Sequence, residues 1–376
     1  MKKLERIGVV GAGLGGTATA ALLARAGFDV RLYEQAPAFA RIGAGIHVGP
    51  NVMKIMRRIG VEDELNDIGS HPEYWFSRAA DDGRYIARIP LNLAQDEGRF
   101  GAHYITIHRG DFHRLMANAV GADSIRFSKR LSDAEEVGDE VRVTFEDGTE
   151  DVVDLLVGAD GLYSRVRELI LGEEEPIYTG YVGHRAIIPV ERLGDRQFEP
   201  CVKWWLGDRH IMVYYLSDAR DELYYVTGVP EAGWVQGTRS IASSSEEVRS
   251  ALSGFHREVQ DLIDATDEVS KWAFYERKPL PMWHRGRIVM LGDACHPMKP
   301  HMAQGAAMAI EDGAILVRCL TELEGELEGK LQAYRALRID RASAVQKVSH
   351  NNTWLRSDED PYWVFGYDPY QVELRQ

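Results

Sequence analysis

A chain of 376 residues that is 45% hydrophobic and 27% charged holds enough apolar material for one large or two medium cores, which excludes a disordered or fibrous polymer. Its formal charge of −14 excludes the broad basic surface that nucleic acid requires, so an anionic ligand must find local positive groups. The cysteines, Cys201, Cys295 and Cys319, are few and odd in number, which fits a reducing cytoplasm without a disulfide framework.

Arg6 to Gly11 reads as a short buried strand. Ile7 to Ala24 lacks charge and follows Met1-Lys2-Lys3, yet its repeated glycines and the preceding Glu5-Arg6 favour strand and turn over a targeting or membrane segment. Gly11-Ala12-Gly13-Leu14-Gly15-Gly16 then supplies G-x-G-x-x-G before an alanine-rich helix ending near Ala26-Gly27. Asp29 to Tyr33 is the next strand, closed by Glu34. In such a unit the first glycine allows the tight turn, the second lets backbone approach a pyrophosphate, the third packs helix on strand, and the acid accepts ribose hydroxyls. Glu34 disfavours a 2′-phosphate, which leaves FAD or NAD.

Gln35 to Gly49 reads as a loop carrying Arg41 and His47, and Pro50 opens a helix, Asn51 to Ile59, capped by Gly60. Short strands are predicted between Tyr74 and Pro90, then a strand running into a helix from Tyr104 to Leu115. Arg109 stands at that junction, free either to pair with Asp111 or to reach a phosphate or flavin edge. Val141 to Phe145 and Val152 to Val157 form a predicted hairpin about Asp147-Gly148. The second strand leads into Gly158-Ala159-Asp160-Gly161, with Ser164, Arg165 and Arg167 opening a helix. An acid at a strand's C-terminal end repeats the geometry of a ligand crevice in an α/β sheet.

Between Ile177 and Val229 the pattern changes to aromatic-rich antiparallel strands, a second, sheet-like domain. A two-residue turn at Gly207-Asp208 would pair Leu206 with Arg209, Trp205 with His210, Lys203 with Met212 and Cys201 with Tyr214. The period of two puts these on one mixed face, with Val202, Trp204, Ile211, Val213 and Tyr215 on the apolar other. The mixed face is either solvated surface or the wall of a pocket. Ser243 to Asp264 reads as helix and Lys271 to Arg277 as a returning strand. Ile288 to Ala306 then reads as strand, loop stiffened by Pro297 and Pro300, and helix start at Gln304-Gly305-Ala306. Such a loop sets Asp293, histidines and unpaired N–H groups against a flat ligand. Helices from about Gln304 to Leu323 and Leu331 to His350 follow, and the aromatic tail Asp358 to Tyr370 is expected to pack on the body.

The G-x-G-x-x-G turn, the Gly158 to Arg167 motif, and Gly292-Asp293 followed by His296-Pro297 and Gln304-Gly305 stand in an order that resembles the single-component FAD-dependent aromatic hydroxylases. That family includes the 4-hydroxybenzoate and salicylate hydroxylases. The resemblance implies an α/β fold, with a Rossmann-like FAD-binding domain formed by 1–72, 100–176 and 276–376 with its C-terminal helices, and an antiparallel-sheet substrate domain of 73–99 and 177–275. It implies FAD, tightly but non-covalently bound, with Gly11, Gly13, Leu14, Gly16, Glu34, Gln35 and Arg41 around its AMP half. Arg109 and Asp160 would contact it too. Asp293 would hold the ribityl chain, Pro297 border the isoalloxazine, and Gly305 and Ala306 meet its pyrimidine edge. NADH would bind transiently, without a Rossmann domain of its own, and no metal is expected.

The activity implied is NADH- and O2-dependent hydroxylation, with loss of CO2, of a hydroxylated aromatic carboxylate. His47 and Tyr214 would form the proton relay to the ring oxygen. Cys201, His210 and His301 would hold the carboxylate, with positive charge from Lys203. Salicylate or another such arene as substrate, and a flavoprotein reductase that does not oxygenate, remain the alternatives. Monomer and homodimer are both open.

Overall fold

The chain returns three times to one central sheet, and that return builds the site. In the computed structural model, which describes residues 4–41, 43–93, 98–234, 238, 240–280 and 282–374, six strands lie in the order His284–Arg285, Ile288–Met290, Leu155–Gly158, Arg6–Val10, Asp29–Tyr33 and Ile125–Arg126. All neighbours are parallel except the first pair. Ile7, Val9, Leu32 and Leu155 to Val157 are fully buried, as central parallel strands covered on both faces must be. The parallel order carries the Gly11, Gly158 and Gly292 turns to the same C-terminal edge. Residues 1–3, on which the targeting question partly rests, lie outside the described residues.

The predicted strand Val152 to Val157 is two strands. Glu150–Val153 pairs antiparallel with Glu140–Phe145, next to Leu131–Val137, about the Gly148 turn, whereas Leu155–Gly158 joins the central sheet. The break falls at buried Asp154, whose carboxylate accepts from Glu5 N at 2.9 Å and Arg6 N at 2.8 Å. A side chain that caps backbone leaves no trace in hydrophobic periodicity.

A second sheet has eight strands, in the order Ser240–Ser243, Val269–Glu276, Ile177–Pro189, Glu222–Pro230, Arg209–Tyr215, Cys201–Leu206, Tyr74–Ala79 and Tyr85–Pro90. It is antiparallel except where Cys201–Leu206 meets Tyr74–Ala79. The hairpin register is the predicted one, from Leu206↔Arg209 to Cys201↔Tyr214, with Gly207 at φ 63°. Cys201, Met212 and Tyr214 join the large core around the central sheet; Val202, Trp204, Ile211, Val213 and Tyr215 join a smaller core of their own.

Two further expectations change. The loop Gln35 to Gly49 contains a strand, Gly45–Val48, paired antiparallel with Ile105–His108, so His47 sits on a strand opposite Thr106. The single helix read over Ser243 to Asp264 is a strand end and two helices, Ser245–Ala251 and Arg257–Asp264. Ser244 and His256 accept at their N-termini, and Gly254, at φ 82°, occupies the left-handed region that breaks the run. The C-terminal helices are Gly305–Glu322 and Leu327–Asn351, and Val364 and Phe365 of the tail are fully buried. Among the described residues, no helix is long and apolar enough to cross a membrane.

Candidate active site

At the C-terminal edge of the central sheet lies a cavity of about 660 Å³, bordered by Gly11 to Gly13, Glu34, Gln35, Arg109 and Asp160. Gly11 has φ 96°, and a Cβ on it would stand 2.5 Å from the Ala159 carbonyl, so only glycine permits the approach of the two turns. At Gly13 an added Cβ would meet nothing within 4 Å; the space is the cavity. Helix Leu14–Arg25 starts there with no side-chain cap and no acidic residue in its first turn, which leaves N–H groups and a positive dipole end for a pyrophosphate. Leu14 is itself buried and offers backbone only. Glu34 accepts from Ala12 N at 3.0 Å and Ala36 N at 2.8 Å, which fixes its carboxylate at the cavity rim.

Asp160 borders the same space, but its carboxylate is engaged: it accepts from Val166 N at 3.0 Å and from the Ser164 hydroxyl. Burial raises it above the ordinary carboxylate range, and these hydrogen bonds oppose the rise. Its main visible work is to shape the turn. Arg41 does not border the cavity. Its guanidinium reaches Asp111 and Glu222, each at 3.1 Å.

Arg109, first residue of helix Arg109–Val120, borders both this cavity and a second of about 270 Å³. The two spaces therefore meet at its guanidinium. The second lies between the loop before Gly305 and the eight-stranded sheet, and Asp293, Gly305 and Ala306 line its loop side. Helix Gly305–Glu322, 18 residues long, again lacks a side-chain cap or an acidic first turn. Its open N–H groups suit the negative pyrimidine edge of a reduced flavin. Arg109 and Asp293 are accessible yet enclosed by protein, because the space they face is the cavity. Burial lowers the Arg109 guanidinium and raises the Asp293 carboxyl, with each charge opposing the other's shift. The pair of cavities thus fits an extended dinucleotide whose flat end enters the second. Pro297 sits behind the wall, its carbonyl accepting from Gln346 Nε2 at 2.9 Å, while Met298 to Pro300 line the space.

The opposite wall brings together His47, Lys203, His210 and Tyr214, and His301 faces them from the loop. Cys201 shares their face but is fully buried opposite Tyr214 and does not border the cavity. His47 and Tyr214 have ring centroids 4.2 Å apart. Two partners of His47 escaped the sequence reading. Tyr104 OH lies 2.7 Å from His47 Nδ1, and Trp75 stacks on the imidazole at 4.8 Å and 12°. Only the unrecognised pairing of Gly45–Val48 with Ile105–His108 could have placed Tyr104 there.

Burial, then the nearby Lys203 charge, push His47 down to about 3, and His301 likewise to about 3. Both are neutral near pH 7. Burial raises the Tyr214 phenol well above its usual value, reinforced by Tyr224, Cys201 and Tyr104. His301 Nδ1 donates to the Ser349 carbonyl at 2.9 Å, so its Nε2 carries the lone pair.

A buried ionic cluster holds the loop from behind. Asp312 accepts from Gly292 N at 2.9 Å, His296 Nε2 at 2.6 Å and Arg338 Nε at 2.7 Å. Glu311 takes Arg338, Arg341 and Asn51, and Asn51 also donates to Gln304 at 3.1 Å. Burial alone would raise Asp312, but His296 and Arg338 hold it at about 2. Both ends of the loop are thereby tied to the helix that follows it. Sequence reading missed Asn51, Glu311, Asp312 and Arg338, because polar residues on a predicted helix look solvated until their partners are known.

Comparison with known proteins agrees with this geometry. The family described as FAD binding domain matches residues 5–349. A 6-hydroxynicotinate 3-monooxygenase of Bordetella bronchiseptica is 59% identical, covering 100% of this chain and 98% of its own. One of Pseudomonas fluorescens is 56% identical with the same coverage. Among solved structures, HpxO of Klebsiella pneumoniae complexed with FAD and uric acid superposes with a TM-score of 0.82 at 26% identity, over 96% of this chain and 90% of that one.

Proposed function

Because this chain belongs to the FAD-dependent aromatic hydroxylase family, we propose that its reaction is the decarboxylative hydroxylation of 6-hydroxynicotinate to 2,5-dihydroxypyridine, with NADH and O2 consumed. The observation that carries the reading is the lining of the second cavity: a His47–Tyr214 pair, Lys203 one strand repeat and His210 two repeats from Tyr214, and His301 reaching in from the loop. That wall suits a flat ring with a hydroxyl at one end and a carboxylate at the other, and it occurs in a chain alike over its whole length to two 6-hydroxynicotinate 3-monooxygenases.

FAD, when bound, takes the hydride from NADH and activates O2. The chain's residues act on the substrate. Oxygen on C6 lies para to C3, so removal of its proton through Tyr214 to His47 pushes electron density to the carbon that is attacked. One oxygen atom enters at C3 and the other leaves as water. The carboxylate departs as CO2, and the electrons of its C–C bond restore the aromatic ring. Arg109 and Asp293 orient the cofactor between the cavities, while the Met298 to Pro300 stretch and Trp75 keep bulk water from the reacting face. In this reading 1–72, 100–176 and 276–376 carry the cofactor, and 73–99 with 177–275 carry the substrate wall.

The test compares NADH oxidation by the FAD-loaded protein with 6-hydroxynicotinate, salicylate and 4-hydroxybenzoate. Strong stimulation by the first alone is expected. Preference for salicylate would move the assignment to that substrate.

A further inference from the structure

Lys203 is a buried amine that the folded chain leaves without a counter-ion; burial, with the Arg356 charge, pushes it well below the usual lysine range, and an anion beside it would restore the ammonium. The residue is 2% exposed. Its Nζ donates to the His301 carbonyl at 3.3 Å and lies 4.1 Å from the centre of the Trp205 ring; no carboxylate pairs with it among the described residues. Other buried cations are differently placed. Arg338 meets Glu311 and Asp312, Lys271 meets Glu231 and Glu247, and Lys54 donates to three carbonyls at 3.1 to 3.2 Å. An ammonium taken out of water is costly unless paired, so a lone one that borders a cavity marks the place of an anion.

The rest of that cavity end is incomplete in the same way. His301 Nε2 and His210 Nδ1 are buried without partners, and the two rings meet edge to face at 5.0 Å. Of the other cations that border the space, Arg109 opens onto both cavities and Lys299 pairs with Glu276 at 3.8 Å, while Arg185, whose Nε is also buried without a partner, lies over Trp272 and bears on Arg109, Tyr214 and Tyr224 rather than on Lys203. Lys203 is two residues from Cys201, which is paired with Tyr214. One strand repeat of about 7 Å therefore offsets its backbone position from that of Tyr214, on the scale of the span between para substituents on a six-membered ring.

We propose that Lys203 is the specificity residue that receives the ring carboxylate of the substrate, while the hydroxyl para to it faces Tyr214 and His47. This deepens the functional reading above and rests on its substrate being an aromatic carboxylate. An ammonium suits the task because it binds as a point charge. A bidentate arginine fork would hold more tightly a carboxylate that must leave as CO2.

The experiment titrates FAD-loaded wild type and Lys203→Met with 6-hydroxynicotinate and with 2-hydroxypyridine, the same ring without the carboxylate, and follows the flavin absorbance. Lys203→Met should weaken 6-hydroxynicotinate roughly 10- to 100-fold and 2-hydroxypyridine less than about twofold. Its melting temperature should hold or rise, since a buried amine without a counter-ion is gone. Equal weakening of both ligands, or of neither, overturns the proposal. If Lys203→Met does not retain FAD, Lys203→Gln is read by the same criterion. If wild type does not bind 6-hydroxynicotinate, the functional reading fails on its own. Salicylate against phenol then decides whether Lys203 selects carboxylates.

Discussion

His47 is held as a buried, neutral imidazole. Trp75 stacks on it, Tyr104 meets its Nδ1, and burial with the Lys203 charge pushes it down to about 3. His47→Gln should retain FAD and lower kcat roughly 100-fold or more, measured by steady-state turnover beside the flavin spectrum; unchanged turnover removes His47 from the relay. Tyr104→Phe takes away one hydrogen bond and leaves the ring stack, so a fall in kcat of roughly tenfold with little change in KM is expected. A rise in KM alone would assign Tyr104 to substrate binding instead. The same shifts make a stability prediction. His47 and His301 stand at about 3 in the folded protein and near 6.5 when unfolded, so between those values the unfolded state binds more protons and stability falls with pH. Each histidine should cost about 2 kcal/mol at pH 5 relative to pH above 6.5. Urea unfolding at pH 5 and 7.5 should show a smaller difference in His47→Gln than in wild type; an equal difference contradicts the buried neutral imidazole. At this scale the period of two sorted Lys203, His210 and Tyr214 onto one face, and left open whether that face was a pocket wall or solvated surface. It did not reveal Tyr104 or Trp75, whose contacts with His47 cross between elements far apart in the chain.

The loop from Gly292 to Gln304 works as one element because its two ends are fastened to the same buried acids. Gly292 N and His296 hold Asp312, Asn51 joins Gln304 to Glu311, and Arg338 faces both acids with none of its surface exposed. Arg338→Met removes the one cation that bridges both buried acids, leaving Glu311 with Arg341 and Asp312 with His296, and should destabilise the protein by about 3–5 kcal/mol. The expected observation is a large fall in melting temperature with easier loss of FAD. A melting temperature within a degree or two of wild type would contradict a structural role for the cluster. Elements set by local chemistry were legible in the sequence: the Gly207-Asp208 hairpin to the residue, the Pro50 helix start, the Gly60 stop. Elements set by distant partners were not. The strand Gly45–Val48 exists through Ile105–His108, and the division at Asp154 exists through the backbone of Glu5 and Arg6.

Across the whole molecule, two sheets divide the work. The central sheet ends in three turns beside the two cavities, and the eight-stranded sheet lines the second. Arg109 lies where the cavities join. A protein of net charge −14 gathers Arg109, Arg185, Lys203 and Lys299 around one interior space, which favours an anionic ligand there over the surface at large. The three glycine and acid motifs made that plan readable, because each marks a turn at the same sheet edge. Which aromatic carboxylate enters depends on side chains from separate strands and on the loop, and no single motif contains them. The most direct measurement is turnover of 6-hydroxynicotinate by the FAD-loaded protein under ¹⁸O2, with product mass and released CO2 compared with NADH oxidised. Single incorporation of ¹⁸O into 2,5-dihydroxypyridine, with CO2 and oxidised NADH in equal amounts, is the expected result. A hydroxylated product that keeps its carboxylate, or NADH oxidation without ¹⁸O in the ring, would contradict it.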